Sequence, residues 1–374
     1  DVIVHRAENL KAVANRFAPL DSKQENTDTQ DEQGWAKLAP STLPTQTMAQ
    51  ALDLADVKGQ AGAKRALEIA AAGGHSLLMV GPPGSGKSML AHRFSGLLSP
   101  LNVSEALEAA AIASLAGRFD LAHWAKRPTR HPHHSASAVA LVGGGSPPRP
   151  GEISLAHHGV LFLDELPEFP RSALEALREP LESGSVTISR AAMRAEFPAR
   201  FQLIAAMNPC PCGYHTDPNK ECTCSKERIK AYFNKISGPL FDRIDLQMNV
   251  SPVSFLDLQP GIEDYDAFSD LIENIECTRK VQYKRFGEER GLRTNSQMST
   301  SDLKTYCQLD APSEKLLEKV MNTFHLSARA YTRILKVART IADLEQSNKI
   351  ESKHVYEAIQ YRCNERVGED KYQP

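Results

Sequence analysis

The stretch Gly81-Pro-Pro-Gly-Ser-Gly-Lys-Ser88 decides the fold class predicted for this 374-residue chain. It fits the pattern G-x-x-x-x-G-K-[ST], and it lies between an apolar run at residues 77–80 and a segment of helical periodicity at residues 88–98. In that context the glycines allow the backbone to wrap around phosphate oxygens, Lys87 reaches the terminal phosphates, and the Ser88 hydroxyl binds Mg²⁺. The sequence therefore predicts a phosphate-binding loop.

Two carboxylates and one amide follow other predicted strands. Asp164 and Glu165 end the apolar run at residues 160–163, and Asn208 follows a strand predicted at residues 201–206. Ligands of open α/β sheets bind at the carboxyl ends of the strands. We therefore expect Asp164 to hold Mg²⁺, Glu165 to orient or deprotonate the attacking water, and Asn208 to position water or sense the γ-phosphate. Each feature also occurs as an ordinary strand end or turn, so the assignment depends on its pairing with the loop at Gly81.

The composition excludes several classes of protein. Hydrophobic residues make up 41% and charged residues 24%, and 44 Lys and Arg balance 46 Asp and Glu to a net charge of −2. This balance is typical of a globular protein and excludes a strongly basic nucleic-acid binder, although it leaves room for local basic patches. No apolar run is long enough for a membrane span and no secretory signal is visible, so we expect a cytoplasmic protein with no membrane partner.

The order of strand and helix signals predicts two folded domains. Strands alternate with helical segments up to about residue 254, which favours an α/β core with a parallel sheet. After residue 255 only helical patterns follow, which predicts an all-α domain. The predicted helices lie at residues 61–72, 88–98, 104–113, 171–182, 264–285, 299–309, 312–323, 327–345 and 351–362. The predicted units are a remnant of an upstream domain at residues 1–20, a flexible linker at 21–50, the α/β core at 51–254 and the helical domain at 255–374.

Four of the seven cysteines form two C-x-C pairs separated by nine residues: Cys210, Cys212, Cys222 and Cys224. Four thiolates in one loop are a candidate structural Zn²⁺ site, although C-x-C is a less usual spacing than C-x₂-C. A loop of reduced cysteines next to Asn208 is the open alternative. Several histidines are predicted to be surface or loop residues rather than metal ligands: His131, His133, His134, His157 and His158.

The nucleotide-site elements together resemble those of the AAA+ ATPases, in that family's order. They are Val57-Lys-Gly-Gln60, the loop at Gly81, Asp164-Glu165 and Asn208. The resemblance implies an AAA+ core followed by a helical lid, with ATP and Mg²⁺ as cofactors. The candidate nucleotide-binding residues are Val57, Gly59, Gln60, Gly81, Pro82, Pro83, Gly84, Ser85, Gly86, Lys87, Ser88 and Met89.

Further stretches resemble the ComM/YifB group of magnesium-chelatase-like AAA+ proteins. They include Met207-Asn-Pro-Cys-Pro-Cys-Gly213 and residues 138–146, 149–156, 161–169, 237–246 and 327–344. This resemblance covers about residues 50–362 and implies a hexameric ring ATPase acting on DNA, with a helicase role in branch migration during homologous recombination and natural transformation. Members of the group carry an N-terminal domain similar to the Lon protease fold, of which residues 1–20 would be the end.

Two arginines take their expected roles from this resemblance. Arg243 stands where the family places an arginine finger that stabilises the γ-phosphoryl group of a neighbouring subunit. Arg329 matches the sensor-2 position, which carries an arginine from the helical lid to the nucleotide. The alternatives are an ion pair of Arg243 with Asp242 or Asp245, and a solvated helix face of Arg329, Arg333 and Lys336.

Two inserted segments are candidate DNA contacts. Residues 143–150 read as a projecting loop that carries Arg149, and the resemblance places it as a helix-2 insertion facing a ring pore. Residues 185–198 resemble the pre-sensor-1 hairpin of helicase-type AAA+ proteins, and Arg190 and Arg194 would touch phosphates there. Solvated loops are the alternative for both. A chelatase motor subunit, or a remodelling or purely regulatory ATP-binding module, remains a competing function.

Overall fold

The computed structural model describes residues 54–190, 193–215, 217–253, 265–287 and 294–363. The predicted upstream remnant at residues 1–20 and the predicted linker at 21–50 lie outside these residues, as does residue 254, where the α/β core is predicted to end. Among the described helices, none is both long and apolar enough to cross a membrane.

A five-stranded parallel sheet with strand order β2-β5-β8-β1-β9 forms the centre of the described region. The strands, numbered along the chain, are β1 Leu77–Val80, β2 Thr129–Arg130, β3 Gly143–Gly144, β4 Arg149–Pro150, β5 Val160–Leu163, β6 Ser185–Arg190, β7 Met193–Pro198, β8 Gln202–Met207 and β9 Leu246–Asn249. Every residue of β1, β5 and β8 is buried, as expected for parallel strands that are covered on both faces. The predicted α/β class with a parallel sheet is confirmed.

Helices cover both faces of this sheet and make up the region after β9. They are α1 Ala61–Gly73, α2 Lys87–Phe94, α3 Val103–Leu115, α4 Ala138–Val142, α5 Glu152–Leu155, α6 Arg171–Ala176, α7 Pro180–Ser183, α8 Lys226–Phe233, α9 Gly238–Phe241, α10 Tyr265–Phe286, α11 Thr300–Tyr306, α12 Ala311–Thr323, α13 Ala328–Leu344 and α14 Ser352–Cys363. Short 3₁₀ turns link several of them, including Ser95–Leu97 and Asn295–Gln297.

Two predicted elements need correction. The helix predicted at residues 171–182 is two short helices, α6 and α7, with a break before Pro180. Proline lacks the backbone N–H that a continuous helix would use there, and its ring disfavours helical geometry at the residue before it. The strand predicted at 201–206 begins and ends one residue later, as β8, because Phe201 lies outside the ladder that pairs Gln202 with Val160.

The helical region shares a hydrophobic core with the sheet. Side chains of α1, such as Leu67, and of α13, such as Ile341, belong to one buried cluster that also contains Phe162 of β5. The opposite face of the sheet is covered by α6 and by the β6-β7 hairpin, with Leu174 and Ile188 in a second buried cluster. The helices after β9 therefore pack on the same face of the sheet as α1.

Both predicted insertions form antiparallel hairpins. In the first, Gly144 of β3 pairs with Arg149 of β4, and the chain turns between them. In the second, β6 and β7 pair over six residues each, with Ser189 opposite Arg194. The two hairpins contact each other, because a Cβ on Gly143 would lie 2.9 Å from Ile188.

Candidate nucleotide site

The phosphate loop surrounds the ammonium group of Lys87. Lys87 Nζ donates to the carbonyl oxygens of Gly81 at 2.7 Å and Pro82 at 2.8 Å, and it lies 3.3 Å from Asn208 Oδ1. Burial lowers the pKa of Lys87 to about 8, although the charge of Asp164 opposes this shift. The loop therefore holds a cation that a phosphate group would stabilise.

The geometry of this loop explains two of its glycines. Gly86 has a φ of 89° and forms the N-cap of α2, a backbone conformation that L side chains rarely adopt. At Gly81 a Cβ would lie 2.3 Å from the carbonyl oxygen of Val250, which follows β9. The loop is thus fitted closely between β1 and the end of the neighbouring strand, and its N–H groups and the N-terminus of α2 form an anion site.

The carboxylates after β5 lie beside the start of α2. Ser88 Oγ donates to Asp164 Oδ2 at 2.6 Å, so these two oxygens converge from two elements 76 positions apart. Hydroxyl and carboxylate oxygens are the ligand types that Mg²⁺ prefers next to nucleotide phosphates. The neighbouring Glu165 is half exposed and has a φ of 51°. The side-chain oxygens of Ser88 and Asp164 are therefore suitably placed to hold Mg²⁺ at the carboxyl end of the sheet.

Sequence reasoning missed a histidine at this site. His134 Nδ1 lies 2.9 Å from Glu165 Oε2, although His134 was expected to be a surface or loop residue. It follows β2, and β2 pairs with β5, so the topology brings the two side chains together. In the sequence, the only signal for this contact is the run of histidines after β2. That run does not indicate how β2 aligns with the neighbouring strand.

The segment before α1 supports the loop from outside. Gln60 Nε2 donates to the carbonyl oxygen of Ser85 at 3.2 Å and to that of Ser251 at 2.7 Å. Val57 is buried, and Gly59 has a φ of 62°. On the other side, Met89 is 38% exposed on α2. The residues carried over from the family resemblance therefore lie around the loop.

Arg243 and Arg329 lie at the opposite end of β1. Ser76, which precedes β1, donates from its hydroxyl to the carbonyl oxygen of Arg243 at 3.2 Å. The buried guanidinium of Arg243 donates to Glu182, and Arg329 Nη2 lies 3.6 Å from the same carboxylate. Arg329 therefore does not reach the phosphate loop of its own chain. The alternative ion pair of Arg243 with Asp242 or Asp245 is also not formed, since Glu182 takes that place.

The alternative of a solvated face on α13 is wrong for two of its three members. Arg333 pairs with Asp245, which is 5% exposed, and the partly buried Lys336 donates to the carbonyl oxygen of Ser296 at 2.8 Å. Although its burial opposes ionisation, Arg333 and His75 hold the pKa of Asp245 well below its usual range. The face is buried because α13 packs on α1 and on the start of β1, which the periodicity of one helix cannot reveal.

The four cysteines converge after Asn208. Cys210 Sγ lies 3.2 Å from Cys212 Sγ and 3.7 Å from Cys222 Sγ, and Cys212 Sγ lies 3.6 Å from Cys222 Sγ. The sulfur of Cys224 is part of the same group, in which all sulfurs lie within 4.8 Å of one another. This arrangement is the donor set of a tetrahedral thiolate site.

The candidate DNA contacts lie on the two hairpins. The side chains of Arg149 and Arg194 are exposed. Arg190 ends β6 and pairs with Met193 through the backbone, while its side chain lies outside the described part of the chain. Both hairpins that carry these arginines are therefore present in the structure.

Comparison with known families gives one family over most of the described chain. Residues 53–258 match the family described as magnesium chelatase, subunit ChlI, and residues 269–362 match the C-terminal part of that subunit. The first match alone covers more than half of the chain and includes the phosphate loop, Asp164 and Asn208.

Several curated relatives are similar over most of this chain. YifB of Escherichia coli K12 is 46% identical over 327 residues, which are 87% of this chain and 63% of the relative. The competence protein ComM of Haemophilus influenzae is 48% identical over 317 residues, or 84% of this chain and 61% of the relative. The DNA replication licensing factor Mcm6 of Drosophila melanogaster is 24% identical over 220 residues, 56% of this chain and 25% of the relative.

The chain thus spans about three fifths of the length of YifB and ComM. The predicted resemblance to the ComM/YifB group is confirmed by these identities. The AAA+ ATPases to which this group belongs use ATP and Mg²⁺, in agreement with the loop and oxygens described above. By its sequence match and its parallel-sheet fold, the chain belongs to the magnesium-chelatase family of AAA+ ATPases.

Proposed function

We propose that this chain binds ATP with Mg²⁺ at the carboxyl end of its sheet and hydrolyses it. The observation that carries this proposal is the convergence of Lys87, Ser88, Asp164 and Asn208 from three elements onto one short stretch of sheet edge. In such a site catalysis is mainly positioning and electrostatic stabilisation, to which a fixed ammonium, a metal and an amide contribute.

Each side chain has a role in this proposal. Lys87 binds the terminal phosphates, and Ser88 and Asp164 hold Mg²⁺. Glu165 activates the attacking water, and Asn208 positions that water against the γ-phosphate. His134 Nδ1 lies 2.9 Å from the Glu165 carboxylate, so the attacking water would take the place of His134 as the partner of that carboxylate. The loop residues Gly81 to Met89, with Val57, Gly59 and Gln60, form the rest of the nucleotide site.

We further propose that the chain works as a ring of identical subunits, with six as the expected number. Support comes from the positions of Arg243 and Arg329, which share Glu182 at the end of β1 remote from the phosphate loop. An arginine at that end is able to act only on a nucleotide bound to a neighbouring chain. Such an arginine finger would stabilise the charge on the transferred phosphoryl group.

The proposed work of the ring is to move along DNA. Arg149 and Arg194 are exposed on the two hairpins, and together with Arg190 they would contact phosphates without reading sequence. The names of two relatives, a competence protein and a DNA replication licensing factor, support a DNA partner. We propose in particular a helicase that promotes branch migration in homologous recombination during natural transformation.

A chelatase motor is the second candidate, because the family that matches is named for a magnesium chelatase subunit. Such a motor would drive metal insertion through a protein partner and would have no need of DNA.

A protein-remodelling function is less well supported. A protein-remodelling pore usually presents an aromatic side chain, and residues 143–150 contain none.

The deciding experiment measures the rate of ATP hydrolysis with and without single-stranded and forked DNA, at low salt and at about 0.2 M salt, together with direct DNA binding. We expect stimulation by DNA and binding that weakens with salt. Hydrolysis that ignores DNA, by particles shown by mass to be rings, would reject the DNA motor and favour the chelatase type. Absence of hydrolysis in such rings would reject the ATPase assignment itself.

The cofactors of this proposal are ATP and Mg²⁺, with a structural Zn²⁺ at the cysteine cluster. The four sulfurs fit a single ion, since they approach one another more closely than a larger metal cluster would allow.

A further inference from the structure

The cysteine cluster lies between two parts of the nucleotide site. Cys210 follows Asn208 by two residues and is fully buried, and Asn208 contacts the ammonium group of Lys87. Gly213, in the turn after the first cysteine pair, lies directly on the phosphate loop. A Cβ at that position would be 2.6 Å from two ring carbons of Pro83. The first cysteine pair therefore stands between Asn208 and Pro83.

The distances between the sulfurs suit one tetrahedral ion. Sulfurs at about 2.3 Å from a common Zn²⁺ lie about 3.8 Å from one another. Two of the observed separations are 3.7 Å and 3.6 Å, and the third is 3.2 Å. A disulfide needs about 2.0 Å, so these sulfurs are not bonded in pairs. The six cysteines whose side chains the structure describes form no disulfide.

The backbone around the cluster is arranged for thiolates. The N–H group of Gly213 donates to Cys210 Sγ at 3.2 Å, which is the kind of contact that orients a metal-bound sulfur. Lys220, between the two cysteine pairs, lies 4.7 Å from the centre of the Tyr214 ring. The second pair is thus held against the first by the connecting segment as well as by the sulfurs.

We infer that this cluster binds one Zn²⁺ and that the loaded site braces the phosphate loop through the contact of Gly213 with Pro83. The ion links Cys210, next to Asn208, to the second cysteine pair and so fixes the turn that carries Gly213. Without the ion, only weak thiol contacts and the connecting segment hold the four cysteines together, so Pro83 would have a less rigid neighbour. The second part of this inference rests on the proposed ATPase function, whereas the zinc site does not.

The zinc site is tested on the whole chain by elemental analysis after purification without chelators. We expect about one Zn²⁺ per chain. Cobalt added in place of zinc should give the intense thiolate-to-cobalt absorption and the visible bands of a tetrahedral site. The variant Cys222→Ser should lose the metal, whereas Cys277→Ser, which removes an exposed cysteine on α10, should keep it. A chain that contains iron, or no metal and paired disulfides, would overturn the zinc site.

The brace is tested by a variant that leaves all four thiols in place. Gly213→Ala should keep its Zn²⁺ but bind ATP roughly tenfold more weakly, because its methyl group displaces Pro83. Gly117→Ala is the matched control: Gly117 also has a positive φ, of 68°, but no atom would lie within 4 Å of its Cβ. Thermal unfolding of both variants separates a local effect from a loss of fold.

The outcomes separate this inference from the proposed function. If Gly213→Ala binds ATP as well as Gly117→Ala does, the brace is wrong even though zinc is present. If the unaltered chain contains zinc but neither binds nor hydrolyses ATP, the ATPase proposal fails and the zinc site stands. Zinc content, cobalt absorption and ATP affinity are three independent readouts of these possibilities.

Discussion

The two ends of β1 carry the two halves of the proposed chemistry. At the carboxyl end, Lys87 is enclosed by the loop carbonyls and lies near Asn208. At the amino end, Arg243 and Arg329 meet at Glu182, a carboxylate that is 59% exposed. The first end encloses its cation within a backbone loop, whereas the second places one buried and one exposed arginine on the same exposed carboxylate. Neither half contains what the other supplies.

The amino end also contains a buried network of charged side chains. Asp245 is buried with Arg333 and His75, and Ser76 donates its backbone N–H to it at 3.1 Å. Arg243 Nε is buried and has no hydrogen-bond partner among the described residues. Such an atom is costly to bury, by about 1–3 kcal/mol, and the other guanidinium nitrogens hold Arg243 in place through hydrogen bonds to Glu182 and to the carbonyl oxygen of Pro239.

The largest effect should come from removing the cation at the amino end. Arg243→Ala should lower ATP turnover of the assembled protein about 10³-fold without weakening ATP binding, because the arginine acts on a neighbour's phosphoryl group. Steady-state hydrolysis and binding of a fluorescent ATP analogue measure the two effects. Arg171→Ala, which removes an exposed arginine on α6, serves as the control.

Mixing two kinds of inactive chain tests whether Arg243 acts on the nucleotide of a neighbouring subunit. Chains with Arg243→Ala and chains with Glu165→Gln should recover activity when they are mixed before assembly, since about a quarter of the contacts then join an intact loop to an intact arginine. Unchanged turnover in Arg243→Ala, or no recovery in mixtures that form rings, would place the arginine outside the site.

Glu165→Gln should reduce turnover about 10²–10³-fold and leave ATP affinity within a factor of two, because general-base catalysis is lost while the phosphate contacts remain. Equilibrium binding and hydrolysis rates distinguish the two quantities. Glu168→Gln is the matched control, since Glu168 lies three residues away and pairs with Lys235 at 3.2 Å. Retained turnover in Glu165→Gln would remove the assigned role.

Alkaline pH should weaken ATP binding through Lys87. The pKa of this buried lysine is lowered to about 8, so its ammonium is present below that pH and is lost above it. We expect ATP affinity to fall above pH 8 and to approach a tenfold loss for each pH unit. Calorimetric titrations between pH 7 and pH 9.5 measure this, with adenosine as a ligand that lacks phosphates. A constant affinity over this range would show that the charge of Lys87 is not needed.

The smallest effect should come from a single contact to DNA. Arg194→Ala should weaken binding of single-stranded DNA roughly threefold, and lower the slope of log affinity against log salt by about 1, for each subunit whose Arg194 contacts a phosphate. Lys319→Ala, on the exposed face of α12, should change neither quantity. An equal loss in both variants would indicate a general effect of net charge.

The sequence predicted the carboxyl end of the sheet well and the amino end poorly. The loop and the strand before Asp164 are local patterns whose ligands meet by a rule of parallel sheets, and β1 and β5 have the bounds expected for them. Arg243 and Arg329 have their partner on α7, and Arg333 has its partner in the turn that precedes β9. In each pair the two residues are far apart in sequence. Ion pairs of that kind have no periodicity, so only the fold reveals them.

His134 illustrates the same limit within the better-predicted end. Its contact with Glu165 depends on the register between β2 and β5, and β2 has only two residues. A strand so short leaves no alternation of apolar and polar residues to recognise. The break of α6 and α7 at Pro180, in contrast, follows from a local rule and was open to prediction from the sequence.

The carboxyl end of α1 is joined to two other elements of the fold by side-chain hydrogen bonds. Its last carbonyl groups accept side-chain hydrogen bonds from two other elements: Gln202 of β8 donates to Ala70 at 2.7 Å, and Arg279 and Gln282 of α10 donate to Ala71 at 2.9 Å and Ala72 at 3.1 Å. Separating α10 from α1 would deprive the carbonyl groups of Ala71 and Ala72 of these partners, at about 1–3 kcal/mol each. We therefore expect β8, which Asn208 follows, to move together with α1 and α10.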